Sequence, residues 1–132
     1  MIGVDTNVLL RLFIVDDPEQ NASAAGFFGA RSPADPAFVS SIVVAELGWV
    51  LRRKYRFTNE RIRAALEELL ATSDVHFENR EIVEAAVSRL TSQKTDFADL
   101  LIAALGGQSG CPTTVTFDRN AARHISGMEL LK

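Results

Sequence analysis

Apolar residues along this chain follow two rhythms: short unbroken runs, and longer stretches in which they recur every third or fourth position. The first rhythm marks buried strands and the second marks helices packed along one face. Ile2-Gly-Val-Asp5 reads as a short buried strand, followed by a helix over Thr6 to Phe13. Pro18 sits where a first helical turn tolerates proline, and starts a second helix that runs to about Ala30. Two prolines in Arg31-Ser-Pro-Ala-Asp-Pro36 then interrupt helix and mark a loop.

Ala37 to Ser40 is predicted as a strand, after which Ser40 or Ser41 caps a helix reaching about Arg56. On that helix Val43, Leu47, Val50 and Leu51 form the expected buried stripe, which carries Glu46 to the core side. Thr58 or Asn59 starts the next helix, with Ile62, Ala65, Leu66, Leu69 and Leu70 facing inward. Val75-His-Phe77 reads as a strand, and Asn79 as the cap of a helix from Arg80 to Leu90. A further helix begins at Thr95 or Asp96 and is expected to close at Gly106-Gly107, since glycine favours helix ends. The β-branched segment Thr113 to Phe117 is predicted as a strand, followed by one short helix and a last strand near Glu129 to Leu131.

Strands separated by helices imply an α/β fold with parallel pairing and helices on both faces of the sheet. Ligands in such folds gather beyond the carboxyl ends of the strands, where Asp5 and Asp118 both fall. With 132 residues, 47% of them hydrophobic, the chain suits a single domain over 1–132. Cys111 is the only cysteine, which excludes an internal disulfide and a thiolate zinc site and fits a reducing cytoplasm. The most apolar stretch, Phe38 to Leu51, is shorter than a membrane span and contains Glu46, so no membrane association is expected.

Formal net charge is −3, which at first argues against a nucleic-acid partner. Two bound divalent cations would bring the balance to +1, and the basic residues are unevenly spread. Arg52, Arg53, Lys54 and Arg56, with Arg61 and Arg63 nearby, form a candidate phosphate-contacting surface, although cations at a helix end also complement its dipole.

Four carboxylates carry the candidate chemistry: Asp5 after the first strand, Glu46 on its helix, Asp99 opening another helix, and Asp118 past a late strand. Each has a structural alternative. Asp5 and Asp118 suit helix caps, Asp96 and Asp99 are spaced as cap and third residue, and Glu46 can pair with an arginine. Aimed at one point, the acids would repel one another unless a cation lay between them. All-oxygen ligands favour Mg²⁺ or Mn²⁺. On this reading Asp99 reaches the metal while Asp96 caps the helix or supports the site.

Asp5-Thr6-Asn7, Val44-Ala45-Glu46-Leu47, Asp99-Leu-Leu-Ile-Ala-Ala104 and Thr114-Val-Thr-Phe-Asp118, in that order and spacing, closely resemble the motifs of PIN-domain ribonucleases. The likeness is strongest to VapC-type toxins of toxin–antitoxin pairs. It implies a PIN-like three-layer α/β/α fold with a central, mainly parallel sheet. It also implies an endoribonuclease dependent on Mg²⁺ or Mn²⁺, with Asp5, Glu46, Asp99 and Asp118 around the metal. By the same resemblance Thr6 and Asn7 support the first acid and Thr116 lines the pocket. The partners implied are an RNA substrate, a cognate VapB-like antitoxin and a second copy in a homodimer. Leu9, Leu10, Phe13, Phe27 and Phe28 offer apolar surface for the antitoxin, although core packing is the prior expectation for such residues.

Two other classes compete. A haloacid-dehalogenase-like phosphatase also opens with an acid after its first strand, but needs a second Asp where this chain has Asn7. A catalytically inactive PIN-fold binding module would keep the fold without the chemistry, and the retained acids argue against it. His76 and His124 lack a second ligand at metal spacing and read as structural, while Trp49 reads as core or partner-facing.

Overall fold

A computed structural model describes residues 1–132. The order of elements is β1 (Ile2–Gly3), α1 (Thr6–Leu10), α2 (Pro18–Gly29), β2 (Ala37–Val39), α3 (Ser41–Arg53), α4 (Asn59–Leu70), β3 (Val75–Phe77), α5 (Arg80–Ser88), α6 (Phe97–Gln108), β4 (Thr114–Thr116), α7 (Arg119–His124) and β5 (Met128–Leu130). Every strand pairing is parallel, as expected of strands joined through helices. The strands divide into a three-stranded sheet ordered β1-β2-β3 and a two-stranded sheet pairing β4 with β5. Ala37 stands between Ile2 and Val75 in the first, and Thr114 opposite Met128 in the second.

The core is one hydrophobic cluster in which Val39, Phe77, Val44, Leu47, Leu51, Ile62, Leu66, Val83, Leu90, Phe97, Leu100 and Leu101 are all buried. On α4 the inward residues are those the periodicity predicts: Ile62, Ala65, Leu66, Leu69 and Leu70. No helix is long and apolar enough to cross a membrane.

Several predicted boundaries shift, each for a tertiary reason. The first helix stops at Leu10 rather than Phe13, and the Asn21 amide of α2 donates to the carbonyls of Arg11 and Ile14 at 2.9 and 2.8 Å. α3 stops at Arg53 rather than Arg56, because Arg56 takes a left-handed backbone (φ 57°) and the Phe57 N–H turns back to the Leu51 carbonyl at 2.9 Å. α5 ends at Ser88, and Asn79 holds its N-cap position without a side-chain cap: its backbone is left-handed (φ 52°) and its amide donates to Ser41 Oγ at 3.2 Å instead. α6 does not close at Gly106-Gly107. A Cβ on Gly106 would lie 2.7 Å from Thr114 Oγ1, so this glycine lets β4 approach the helix, which runs on to Gln108 with Ser109 as its C-cap and the left-handed Gly110 (φ 94°) just beyond.

The buried stripe of α3 consists of Val44, Leu47, Gly48 and Leu51, with Val43 and Val50 only partly covered. At 3.6 residues per turn this places Glu46 nearly opposite the core. Glu46 is exposed, on an outer stripe with Ile42, Trp49 and Arg53, which corrects the expectation of a core-side carboxylate. Close packing of α3 on α6 explains the rotation: a Cβ on Gly48 would meet Phe97 Cδ2 at 2.9 Å, so only glycine lets the two helices approach there. That approach brings the C-terminal turn of α3 to the first turn of α6.

Candidate active site at the start of α6

Where α3 ends and α6 begins, a cavity of about 610 Å³ opens. Its acidic side carries Asp96, Asp99 and Asp118, and its basic side carries Arg53, Arg56 and Lys94, with Arg52, Gln93, Thr95 and Asn120 completing the polar lining. Local chemistry fixes two of the acids. Asp96 is the N-cap of α6, accepting the Ala98 N–H at 2.9 Å. Asp118 is the N-cap of α7, accepting the Ala121 N–H at 3.0 Å, and its own N–H donates to Thr116 Oγ1 at 3.0 Å. Asp99 caps nothing. Half-buried in the first turn of α6, its carboxyl is pushed above the usual carboxylate range, first by burial and then by the negative charges of Asp96 and Asp118, with Arg53 pulling the other way.

The predicted residues therefore separate. Asp99, Asp118 and Asp96 share the cavity, whereas neither Asp5 nor Glu46 lines it. Asp5 is the exposed N-cap of α1, accepting the Thr6 N–H at 2.7 Å. Thr6 thus supports the first acid through its backbone, while its buried hydroxyl has no hydrogen-bond partner, and Asn7 is exposed. Glu46 points around α3 in the same direction as Arg53 but two turns earlier, ~10.5 Å along the axis. No three His, Cys, Asp or Glu side chains are gathered closely enough to enclose a metal ion.

The donor set nevertheless fits a hard divalent cation. Mg²⁺ keeps much of its water shell and is commonly held by one or two carboxylates together with substrate phosphates, so a closed cage is not required. Asp99, destabilised by its acidic neighbours, is the carboxylate a cation would relieve most.

The basic residues also separate. Arg53 and Arg56 face the cavity, as expected of phosphate contacts, and are joined by Lys94, which sequence reasoning missed because it lies far from the arginines in the chain. Lys54 is not in the lining, and its ammonium sits 5.5 Å from the centre of the Tyr55 ring. Arg52 is committed internally: Nη1 donates to Asn59 Oδ1 at 2.7 Å and to the Thr95 carbonyl at 2.8 Å, and Nη2 to the Gln93 carbonyl at 3.0 Å. Three of its N–H donors are thus used inside the fold, although Arg52 still lines the cavity beside Arg53 and Arg56. Arg61 and Arg63 are engaged elsewhere, over the Phe57 ring and with Glu67. Of the histidines, His76 is exposed beside the Phe38 ring and His124 lies 3.0 Å from the Asn120 carbonyl.

No curated protein matches the chain. The family model described as PIN domain matches residues 2–126, nearly the whole sequence. The PIN domain is generally a nuclease fold, and its nucleases typically use divalent metal ions. A parallel α/β fold, an acid-lined cavity at a helix start and a match spanning almost every element agree, and the chain belongs to the PIN-domain family.

Proposed function

We propose that this protein is an endoribonuclease dependent on Mg²⁺ or Mn²⁺, that it acts as the VapC-type toxin of a toxin–antitoxin pair, and that the cavity at the start of α6 is its reaction site. The observation that carries the reading is Asp99: a half-buried carboxyl raised by burial and then by Asp96 and Asp118, facing a wall of Arg53, Arg56 and Lys94. Acids opposite bases suit a substrate that brings phosphates together with a cation.

Asp99 and Asp118 would hold the ion, with Asp96 adding negative potential while it caps α6. A bound divalent cation supplies Lewis acidity and an attacking water of lowered proton affinity. Arg53, Arg56 and Lys94 bind phosphates flanking the scissile bond and hold the strand across the cavity. The free N–H groups at the start of α6 add positive potential toward the same phosphates. Asp5 and Glu46, outside the cavity lining, extend the acidic surface in this reading.

Partner surfaces follow the same division. Leu9 and Leu10 are buried and unavailable to an antitoxin. Leu12, Phe13, Phe28 and Leu69 instead line an apolar groove of about 270 Å³, which suits one face of an amphipathic helix. Ile42 and Trp49 on the outer stripe of α3 are exposed apolar side chains available to a second copy of the chain.

The test is cleavage of total cellular RNA, with end mapping, by wild type, Asp99→Asn and Asp5→Ala, with Mg²⁺ or Mn²⁺ and with chelator. Metal-dependent cuts at defined sites by wild type, lost in Asp99→Asn, are expected. Expression alone should slow growth, and co-expression with the adjacent upstream gene should restore it. One observation favours the inactive binding module: Asp5, Asp96 and Asp118 all serve as helix caps, and no three acids enclose an ion. Wild-type protein that binds RNA without cutting it in either metal would establish that second reading.

A further inference from the structure

We infer that Arg52 and Asn59 are positioning residues for the acidic wall, acting by holding the segment Ser92–Thr95 that leads into Asp96 and Asp99. The inference rests on the reading that these acids hold a divalent cation.

The segment lies in no helix or strand, so no regular ladder satisfies its carbonyls; Ser92, Gln93 and Lys94 are exposed, and Thr95 is buried, where an unpaired polar group is costly. All four carbonyls find side-chain donors. Asn59, about 1% exposed as the first residue of α4, donates through Nδ2 to Ser92 O at 2.5 Å and to Thr95 O at 2.7 Å. Arg52 donates to Gln93 O and also to Thr95 O, whose two lone pairs are thereby both used. From the opposite side Asn120 of α7 donates to Lys94 O at 2.5 Å. Arg52 also donates to Asn59 Oδ1, and the Asn59 N–H donates to Gln93 Oε1 at 3.1 Å, so the two residues form one connected network.

The consequence is geometric. Thr95 is fixed by two donors one residue before the N-cap Asp96, and Asp99 follows within the first turn of α6. Asn120 belongs to the helix capped by Asp118, so the same segment is tied to the third acid's helix. Side-chain donors on four successive carbonyls exceed what a solvent-facing connection needs. They hold both acid-bearing helix starts to the end of α3, where Arg53 stands.

The test uses the full chain with Asn59→Leu, Arg52→Met and Arg52→Lys. Each is compared with wild type for Mn²⁺ affinity, for hydrogen exchange at the Ala98 and Leu100 amides, and for kcat and KM on RNA. Removing support behind a ligand costs about 10–100-fold in metal affinity, and that range is expected for Asn59→Leu and Arg52→Met. Arg52→Lys should fall between wild type and Arg52→Met, because a single ammonium nitrogen lacks the planar fork by which Nη1 and Nη2 reach separate acceptors. Exchange at Ala98 and Leu100 should accelerate while distant core amides such as Leu66 stay protected, and kcat should fall with KM little changed.

In an Asp99→Asn background the Arg52→Met substitution should cost no further Mn²⁺ affinity, since it acts through that carboxylate. Should Asn59→Leu fail to fold, the two Arg52 variants decide. Unchanged Mn²⁺ affinity and unchanged Ala98 exchange in both Arg52 variants overturn the inference alone, and so does a loss of equal size in the Asp99→Asn background. Failure of the wild-type chain to bind Mn²⁺ overturns the cation reading and this inference with it.

Discussion

Asp35 and Asp99 place the same carboxyl group in opposite company. Asp35 accepts from the Met1 ammonium at 2.7 Å and from Arg31 Nη1 at 2.8 Å, and the ammonium chiefly, with Arg31 adding to it, holds its pKa below the ordinary value. Asp99 has acids for neighbours, and burial, Asp96 and Asp118 push it up against the pull of Arg53. The first charge is compensated by the protein itself and closes a loop. The second stands among like charges, with Arg53 opposing them. Perturbation in the unfavourable direction, within a cavity, is what separates a site from an ion pair.

The sharpest way to break this comparison is to neutralise each acid. Asp99→Asn should lower Mn²⁺-supported RNA cleavage by about 100-fold or more, the scale of removing one group that stabilises charge at a reacting centre, whereas Asp35→Asn should change it by less than about twofold. Initial rates on one defined RNA measure both, and equal losses would erase the distinction. Chelation should abolish wild-type activity and Mn²⁺ should restore it.

The basic wall offers the next largest effect. Replacing both Arg53 and Arg56 with Gln should reduce the logarithmic salt dependence of RNA binding by about one to two units, because a surface that neutralises fewer phosphates releases fewer counterions. Removing Lys54, which is absent from the cavity lining, should leave that slope near wild type. Binding titrations across a range of salt concentrations would show the contrast.

Asp118 combines a structural and a chemical role, and two substitutions separate them. Asp118→Ala removes the cap to Ala121 and should cost about 1 kcal/mol in urea denaturation. Asp118→Asn keeps a capping oxygen, so its stability should stay near wild type while metal-dependent cleavage falls. Equal destabilisation by both would point to the negative charge rather than the cap.

The smallest effect concerns pH. For Asp99 the folded-state pKa is raised, so its ionisation opposes folding: the penalty is absent below the unfolded value of about 3.9 and complete above the raised folded one. Metal-free Asp99→Asn should therefore gain relative to wild type as pH rises through that window. Asp35 has the opposite sign. Its contribution is present above about 3.9 and lost as pH falls through its lowered folded pKa, so Asp35→Asn should be less stable than wild type at neutral pH, with the gap closing in acid. Urea melts of chelated protein at neutral pH and in acid, at about pH 3, would measure both trends, and parallel behaviour of the two variants would refute the contrast.

Local chemistry was legible along the chain because its partners lie close in sequence. Ser40, Thr58, Asp96 and Asp118 cap helices by bonding to N–H groups two or three residues onward, so the residue types placed those starts to within one position. Apolar spacing likewise fixed the inward face of α4, and the β-branched run fixed β4. Asp99 was legible as a candidate through its place in the ordered set of acids, although an acid in a first helical turn also has a local use.

What tertiary structure alone decided involves partners distant in sequence. Arg52 reaches the Thr95 carbonyl across 43 positions and the Gln93 carbonyl across 41, so nothing near Arg52 in the sequence marks it as the arginine that holds this segment. Asn59 reads as an ordinary helix start, and only the fold shows its amide holding Ser92 and Thr95. The rotation of α3 that exposes Glu46 depends on Gly48 meeting Phe97, and the continuation of α6 through Gly106 depends on Thr114. A helix's existence follows from its own residues, whereas the direction of each face, and the acids that share a cavity, follow from which neighbour can approach.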